Sequence, residues 1–220
     1  MKKSSIFLRG GCAVLLICFW GGTLILWSQV NPIGSDLQRH RTMFIKNFQR
    51  TILNTTPGDA KFLQIMVESS GAKRGVEIGS ATGYGAIHMG MAFERNGGHL
   101  YTIDIDPAMV KACRKNLQEM ALEKTVTCLE GDALEVIPQL QGMYDFVFID
   151  AHKSDYLKYF KAIEPKLQRN AVIAADNVIV YADAMRDFLD AVAADPKYEM
   201  VILKASEEKK DGMALIYKRE

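Results

Sequence analysis

The chain has 220 residues, 49% hydrophobic and 24% charged, enough for one well-cored domain and too apolar for a disordered or collagen-like chain. Its 27 basic and 26 acidic residues nearly cancel, which argues against a nucleic-acid binder driven by a basic surface. The balance is uneven along the chain: residues 10–35 carry no charge, and removing Lys2, Lys3 and Arg9 leaves 24 basic against 26 acidic groups over residues 31–220, a formal −2.

Residues 1–34 read as a basic-flanked apolar leader, and residues 35–220 as one globular domain. Residues 12–30 match the ~20 apolar residues that a helix needs to cross a ~30 Å hydrocarbon core. The exit Leu26-Trp27-Ser28-Gln29-Val30-Asn31-Pro32 lacks an Ala-x-Ala-like cleavage site, so the reading is an uncleaved single-segment membrane anchor; a cleaved signal peptide is the alternative. Lys2, Lys3 and Arg9 precede the segment and Arg39, Arg41, Lys46 and Arg50 follow it, which leaves its orientation open. Cys12 and Cys18 lie in the leader, while Cys113 and Cys128 stand apart with no Cys-x-x-Cys; inert thiols are expected, not a disulfide framework or a zinc site.

Beyond the leader, Ser35 caps a helix expected to carry Leu37, Phe44, Ile45, Phe48 and Ile52 on one face. A second helix starts near Pro57-Gly58-Asp59 and buries Phe62, Leu63, Met66 and Val67. Strand patterns follow at 75–78, 99–103, 126–129, 144–149, 171–175, 198–203 and 213–217. Helical patterns fall at 85–95, 107–121, 133–140, 155–168 and 183–194. Alternation of this kind predicts an α/β, Rossmann-like, doubly wound seven-stranded sheet with helices on both faces, plus the N-terminal apolar helix. No helix separates the last two strands, so the final one is expected to run antiparallel. In such sheets ligands gather beyond the carboxyl ends of the strands.

The first strand ends in Glu77-Ile78-Gly79-Ser80-Ala81-Thr82-Gly83-Tyr84-Gly85. Glycines at 79, 83 and 85 allow a sharp turn and a close ligand approach, but the spacing is not the Gly-x-Gly-x-x-Gly of dinucleotide binding. Glu77 before the loop disfavours a pyrophosphate and suits a ligand with an ammonium group. Asp104 ends the second strand, where an acid binds ribose hydroxyls, and Asp106 before Pro107 reads as a helix cap. Asp132 and Ala133 follow the third strand, where Asp132 serves either a base ring or a helix cap. The fourth and fifth strands end in Asp150 and in Asp176-Asn177. Two carboxylates and an amide oxygen make a hard partial shell suited to Mg²⁺, whereas a nitrogen ligand from His152 suits it poorly.

From about residue 40 to 220 the chain resembles the metal-dependent O-methyltransferases related to catechol and caffeoyl-CoA O-methyltransferase. The likeness rests on Val76 to Tyr84, Thr102 to Asp106, Gly131-Asp132-Ala133, Ile149-Asp150-Ala151-His152-Lys153 with Tyr156, Asp176-Asn177-Val178 and Asp211 to Lys218. The resemblance implies S-adenosylmethionine (SAM) as methyl donor. Its methionine end would meet Thr55, Glu77 and the loop of Gly79, Ser80, Gly83 and Gly85; its ribose would meet Asp104, and its adenine Asp132 and Ala133. It further implies Asp150, Asp176 and Asn177 as ligands of Mg²⁺ or another hard divalent cation, and Lys153 as base. A phenol of pKa ~10 is a poor nucleophile at neutral pH; a bound dication stabilises its anion, and a neighbouring lysine accepts the proton.

The chain also departs from the family. The catechol enzyme's late acidic residue has no counterpart in Lys204-Ala205-Ser206-Glu207, Val180-Tyr181 replaces a proline wall, and the caffeoyl-CoA insertion there is absent. The expected substrate is a small aromatic vicinal diol. A tRNA-base O-methyltransferase and a non-catalytic, membrane-tethered SAM-binding module are the alternatives, and the formal −2 disfavours nucleic acid. The membrane is the expected partner of the leader, a homodimer stays open, and SAM dependence favours the cytoplasmic side.

Overall fold

A computed structural model of the protein describes residues 34–219. The expected apolar leader helix, Cys12 and Cys18 lie outside the described residues. Among the described residues no helix is long and apolar enough to cross a membrane. These residues fall into two units that divide between Thr42 and Met43, within helix α1 (Ser35–Lys46).

Helix α1 ends earlier than its apolar pattern suggests. Past Lys46, Thr51 donates its backbone N–H and its hydroxyl to Asn54 Oδ1, a local side-chain turn that competes with helical bonding. Ile52 is therefore fully exposed and off the helix, a correction to the predicted face, while Phe48 packs its ring against Phe44 and Tyr84. Helix α2 (Pro57–Ser70) starts as expected: Pro57 sits in the first turn and the Thr56 hydroxyl caps Asp59 N.

From there strands and helices alternate: β1 (Arg74–Ile78), α3 (Tyr84–Asn96), β2 (His99–Asp104), α4 (Pro107–Glu119), β3 (Val126–Glu130), α5 (Ala133–Gln139) and β4 (Tyr144–Ile149). They continue with α6 (Tyr156–Ile163), β5 (Leu167–Ala175), α7 (Arg186–Ala194), β6 (Tyr198–Leu203) and β7 (Met213–Lys218). The predicted helix over 155–168 stops at Ile163 because Pro165 cannot continue it, and the chain turns through Glu164–Lys166. Strand β5 then begins four residues earlier than the apolar run, since Leu167 pairs with Tyr144 before a register shift carries Val172 opposite Phe146.

The seven strands form one sheet in the order β3-β2-β1-β4-β5-β7-β6. The first five are mutually parallel, and β7 runs antiparallel to both β5 and β6, as the missing helix between the last two strands requires. Side chains alternate between two cores. Val147, Ile149, Ile173 and Ala175 face a core shared with α5, α6 and α7. Phe146, Phe148, Val172 and Ala174 face the other, shared with α2, α3 and α4. Burial on both faces explains why the central strands read as near-continuous apolar runs.

Pairing continues one residue past the strand ends. Asp176 N donates to Ile149 O, Asp150 N to Ile78 O, Gly79 N to Ile103 O and Gly131 N to Asp104 O, at 2.8–2.9 Å. Gly79 is at φ +96, and a Cβ there would lie 2.1 Å from the Asp150 carbonyl oxygen. Gly79→Ala is therefore expected to cost about 2 kcal/mol or more, from backbone strain and this collision. The urea unfolding midpoint of the variant measures the cost, and a midpoint equal to wild type would contradict the close approach.

Candidate active site at the carboxyl ends of the parallel strands

A cleft of about 930 Å³ opens beyond these strand ends. Thr55, Gly79, Asp104, Asp132, Ala133, Asp150, Lys153, Asp176 and Asn177 all line it, which unites nine of the predicted site residues on one surface. The register is the cause. Ile78 stands opposite Ile103 and Ile149, and Ile149 opposite Ala175, so the next residue of each strand reaches the same level.

On one side of the cleft the acids meet lysines. Lys153 Nζ donates to Asp150 Oδ1 at 2.7 Å and to Tyr156 Oη at 3.1 Å, and Tyr156 Oη donates to the Asp176 carbonyl at 3.1 Å. Burial, then the charges of Asp150 and Asp176, push the Tyr156 phenol well above its ordinary range, so it stays a neutral hydrogen-bonding group. Burial and the neighbouring Asp150 raise the Asp176 carboxyl to about 6, against the opposing Lys209 ammonium. Asn177 adopts φ +63, a left-handed conformation that asparagine tolerates better than most residues. Its Nδ2 donates to Asp211 Oδ2 at 3.1 Å, which leaves Oδ1 as its free acceptor.

Asp211, which the sequence reading placed only in a strand motif, organises this turn. Its carboxylate accepts the backbone N–H groups of Ile179, Val180 and Gly212 at 2.8–3.0 Å. Burial opposes its ionisation, yet these donors and the Asn177 amide hold its carboxyl below the ordinary range. Lys209 and Asp59 were also not singled out in sequence. Lys209 Nζ lies 2.6 Å from both oxygens of Asp176 and 2.8 Å from Asp59 Oδ2. A lysine within Glu207-Glu208-Lys209-Lys210 reads as solvated surface, and no local signal distinguishes it. His152 lies at the cleft but is largely exposed and paired with Asp155, in line with a surface role.

On the other side the glycine loop is held from two directions. Asp104 Oδ2 accepts Ala81 N at 2.8 Å, and the Thr82 hydroxyl donates to Asn54 Oδ1 at 2.8 Å. Glu77, Ser80, Gly83 and Gly85 do not line the cleft. Gly83 is at φ +91 at the start of α3, where a Cβ would lie 2.8 Å from Cys113 Sγ, so its need for glycine is met by the fold alone. Glu77 is buried and accepts a hydrogen bond from the Thr102 hydroxyl at 2.5 Å. Burial raises its carboxyl to about 8. Asp132 and Asp106 both cap helices, accepting Leu134 N and Ala108 N at 2.8 Å, and both line the cleft as well. Cys113 and Cys128 are buried free thiols.

Over residues 34–219 the sequence matches the O-methyltransferase family. The chain belongs to this family, related to the catechol and caffeoyl-CoA O-methyltransferases. The catechol O-methyltransferase of Niastella koreensis is 34% identical over 131 residues, a match covering 58% of this chain and 59% of that enzyme. Caffeoyl-CoA O-methyltransferase 2 of Populus trichocarpa is 29% identical over 215 residues, covering 87% of this chain and 85% of that enzyme. The O-methyltransferase TomG of Streptomyces achromogenes, solved in complex with SAM, shares the fold: TM-score 0.73 at 23% identity, over 84% of this chain and 90% of that one.

This O-methyltransferase carries groups that fit the two expected ligands. Beside the cleft, Thr55 Oγ1 and Asn54 Nδ2 are buried without a hydrogen-bond partner among the described residues. Buried polar groups are rarely left so, and a polar ligand end would satisfy them. Glu77 is a buried acid without an ion-pair partner among the described residues, beside Gly85, where a Cβ would lie 2.6 Å from Glu77 Oε1. An ammonium group suits it. For a metal, Asp150, Asp176 and the Asn177 amide oxygen supply only hard oxygen donors. Among the described residues no group of three or more His, Cys, Asp or Glu offers an alternative shell.

Glu77 makes stability depend on pH. An acid with a raised folded pKa keeps a proton in the native state that the unfolded chain has lost, so native stability falls as pH rises from about 4.5 to about 8. Thermal melts of ligand-free wild type and Glu77→Gln over that window are expected to diverge, the glutamine variant losing less stability toward higher pH. Parallel curves would contradict the raised pKa.

Proposed function

We propose that the protein transfers the methyl group of SAM to a hydroxyl of a small aromatic vicinal diol, with a divalent cation and Lys153 as base. The observation that carries this reading is the convergence of Asp150, Lys153, Asp176 and Asn177 on the cleft that Thr55, Asp104 and Asp132 also line. The SAM in the TomG complex and the names of the catechol and caffeoyl-CoA relatives support the donor and the acceptor class.

SAM supplies an electrophilic sulfonium methyl. Thr55 and Asn54 would bind the polar methionine end with their unpartnered atoms, and Glu77, buried behind the cleft lining beside Thr55 and Gly85, would attract its ammonium. Asp104 would orient the ribose, and Asp132-Ala133 would lie against the adenine. Asp150, Asp176 and Asn177 would hold a divalent cation, which supplies Lewis-acid stabilisation of a phenolate. Lys153 Nζ, held by Asp150 and Tyr156, would take the proton of the acceptor hydroxyl after its own ammonium has given up a proton to solvent, while Tyr156 stays neutral and fixes the amine. Ile52, Leu53 and Tyr181 add apolar surface to the cleft, suited to a flat aromatic ring. Fixing donor and acceptor in line is the protein's main contribution to rate. In this reading the leader, residues 1–34, anchors the enzyme to a membrane with the catalytic domain on the SAM-containing side.

Lys153→Met is expected to lower methyl transfer to a catechol about 10²-fold or more while calorimetry still detects SAM binding. An unchanged rate would remove Lys153 from the chemistry. Asp150→Ala is expected to abolish transfer beyond rescue by added Mg²⁺, and wild-type turnover that persists in excess chelator would overturn the metal site. The anchor predicts that the chain stays with membranes through an alkaline carbonate wash; release into the supernatant would overturn it.

A further inference from the structure

Lys209 has no part in the transfer just described, yet it is the cation closest to the most buried acids of the site. Its ammonium sits 2.6 Å from both Asp176 oxygens and 2.8 Å from Asp59 Oδ2. The Asp59 and Asp176 side chains are each 2% exposed, and Lys209 is 19% exposed. We propose that Lys209 is a counter-cation built into the metal site, which neutralises Asp59 and Asp176 while no divalent ion is bound and competes with that ion for the Asp176 carboxylate. The inference rests on the metal site proposed above and adds to it a residue that opposes loading.

Three observations carry it. First, both oxygens of Asp176 are already within hydrogen-bond distance of the ammonium, so an ion that takes either one must displace Lys209 from it or share the oxygen with another positive charge. Sharing is costly in a buried setting, where like charges repel strongly. Second, Asp59 gives the displaced ammonium a place to stay. Asp59 Oδ2 is also fixed by the Thr56 hydroxyl at 2.8 Å, in the first turn of α2. Third, the backbone around Lys209 is tied down. Arg50 pairs with Glu208 at 2.9 Å, Asp211 accepts three backbone N–H groups, and Gly58 packs so closely that a Cβ there would lie 2.6 Å from Ala205 O. The exchange is therefore a swing of the flexible four-carbon lysine side chain, not a movement of the loop.

Competition and simple structural support predict opposite results. Removing a competitor tightens metal binding, whereas removing a residue that merely positions Asp176 weakens it or leaves it unchanged. The test titrates Mn²⁺ into the full-length protein without SAM or acceptor, following free Mn²⁺ by electron paramagnetic resonance. Lys209→Met and Lys209→Gln are compared with wild type, the glutamine keeping an N–H donor for the two carboxylates if methionine impairs folding. Both variants are expected to bind Mn²⁺ roughly tenfold or more tightly. In wild type, amine-reactive labelling of Lys209, read by mass spectrometry, is expected to rise when Mn²⁺ is bound. Equal or weaker binding by the folded variants, or labelling that Mn²⁺ does not change, would overturn the role of Lys209 and leave the metal site standing. No Mn²⁺ binding by any of the proteins would overturn the metal site itself, and this inference with it.

Discussion

The hydrogen-bond ladder of a parallel sheet does not stop where its strands end, and the site of this protein depends on that. Asp176 N to Ile149 O, Asp150 N to Ile78 O and Gly79 N to Ile103 O pass the register from β5 through β4 and β1 to β2, one residue beyond the regular strands. Residues far apart in sequence thereby come to one level at the edge of a cleft. The core enforces that register from both faces, because a one-residue slip of β4 would exchange Phe146 and Phe148 for Val147 and Ile149 between two cores of different shape.

Beyond the ladder, the two sides of the cleft are built on different chemistry. The side of the glycine loop relies on backbone and polar groups: a turn that only glycine fits at 79, Asp104 and Asn54 pinning the loop, and a deeply buried Glu77. The side at the ends of β4 and β5 is a network of charges in which Asp150 faces Lys153, and Asp59 and Asp176 face Lys209. Burying several carboxylates together without cations would be prohibitive, so Asp59, Asp150 and Asp176 on this side each face a lysine and Asp211 has a set of backbone N–H donors. Asp211 illustrates the second solution: it spends its charge on holding the turn that presents Asn177.

Much of this was legible in the sequence because a buried parallel strand and the turn after it leave a strong local signature. Apolar runs ending in Asp150, Asp176 and Asp104 marked strand ends, and glycines at 79 and 83 marked the turn. Other features escaped. The early stop of α1 follows from the Thr51–Asn54 turn, whose side-chain hydrogen bonds replace the helical ones that the apolar periodicity implied. The early start of β5 at Leu167 is carried by a polar stretch, Gln168-Arg169-Asn170, that looks like a loop until Tyr144 is placed beside it. Lys209 lies in a charge run that reads as solvated surface, and its pairing with Asp59 and Asp176 joins three separate segments.

By itself the sequence determined the alternation of strands and helices, the antiparallel last strand and the chemistry available at each strand end, because these follow from local periodicity and turn residues. Only the tertiary structure decided which of those groups share a surface and which are spent internally. Asp104 both holds the loop and lines the cleft, Gly83 answers to Cys113, and Lys209 occupies the carboxylate that a metal would need. The physical reason is that charge pairing and close packing depend on distances between segments, which only the register of the folded sheet sets.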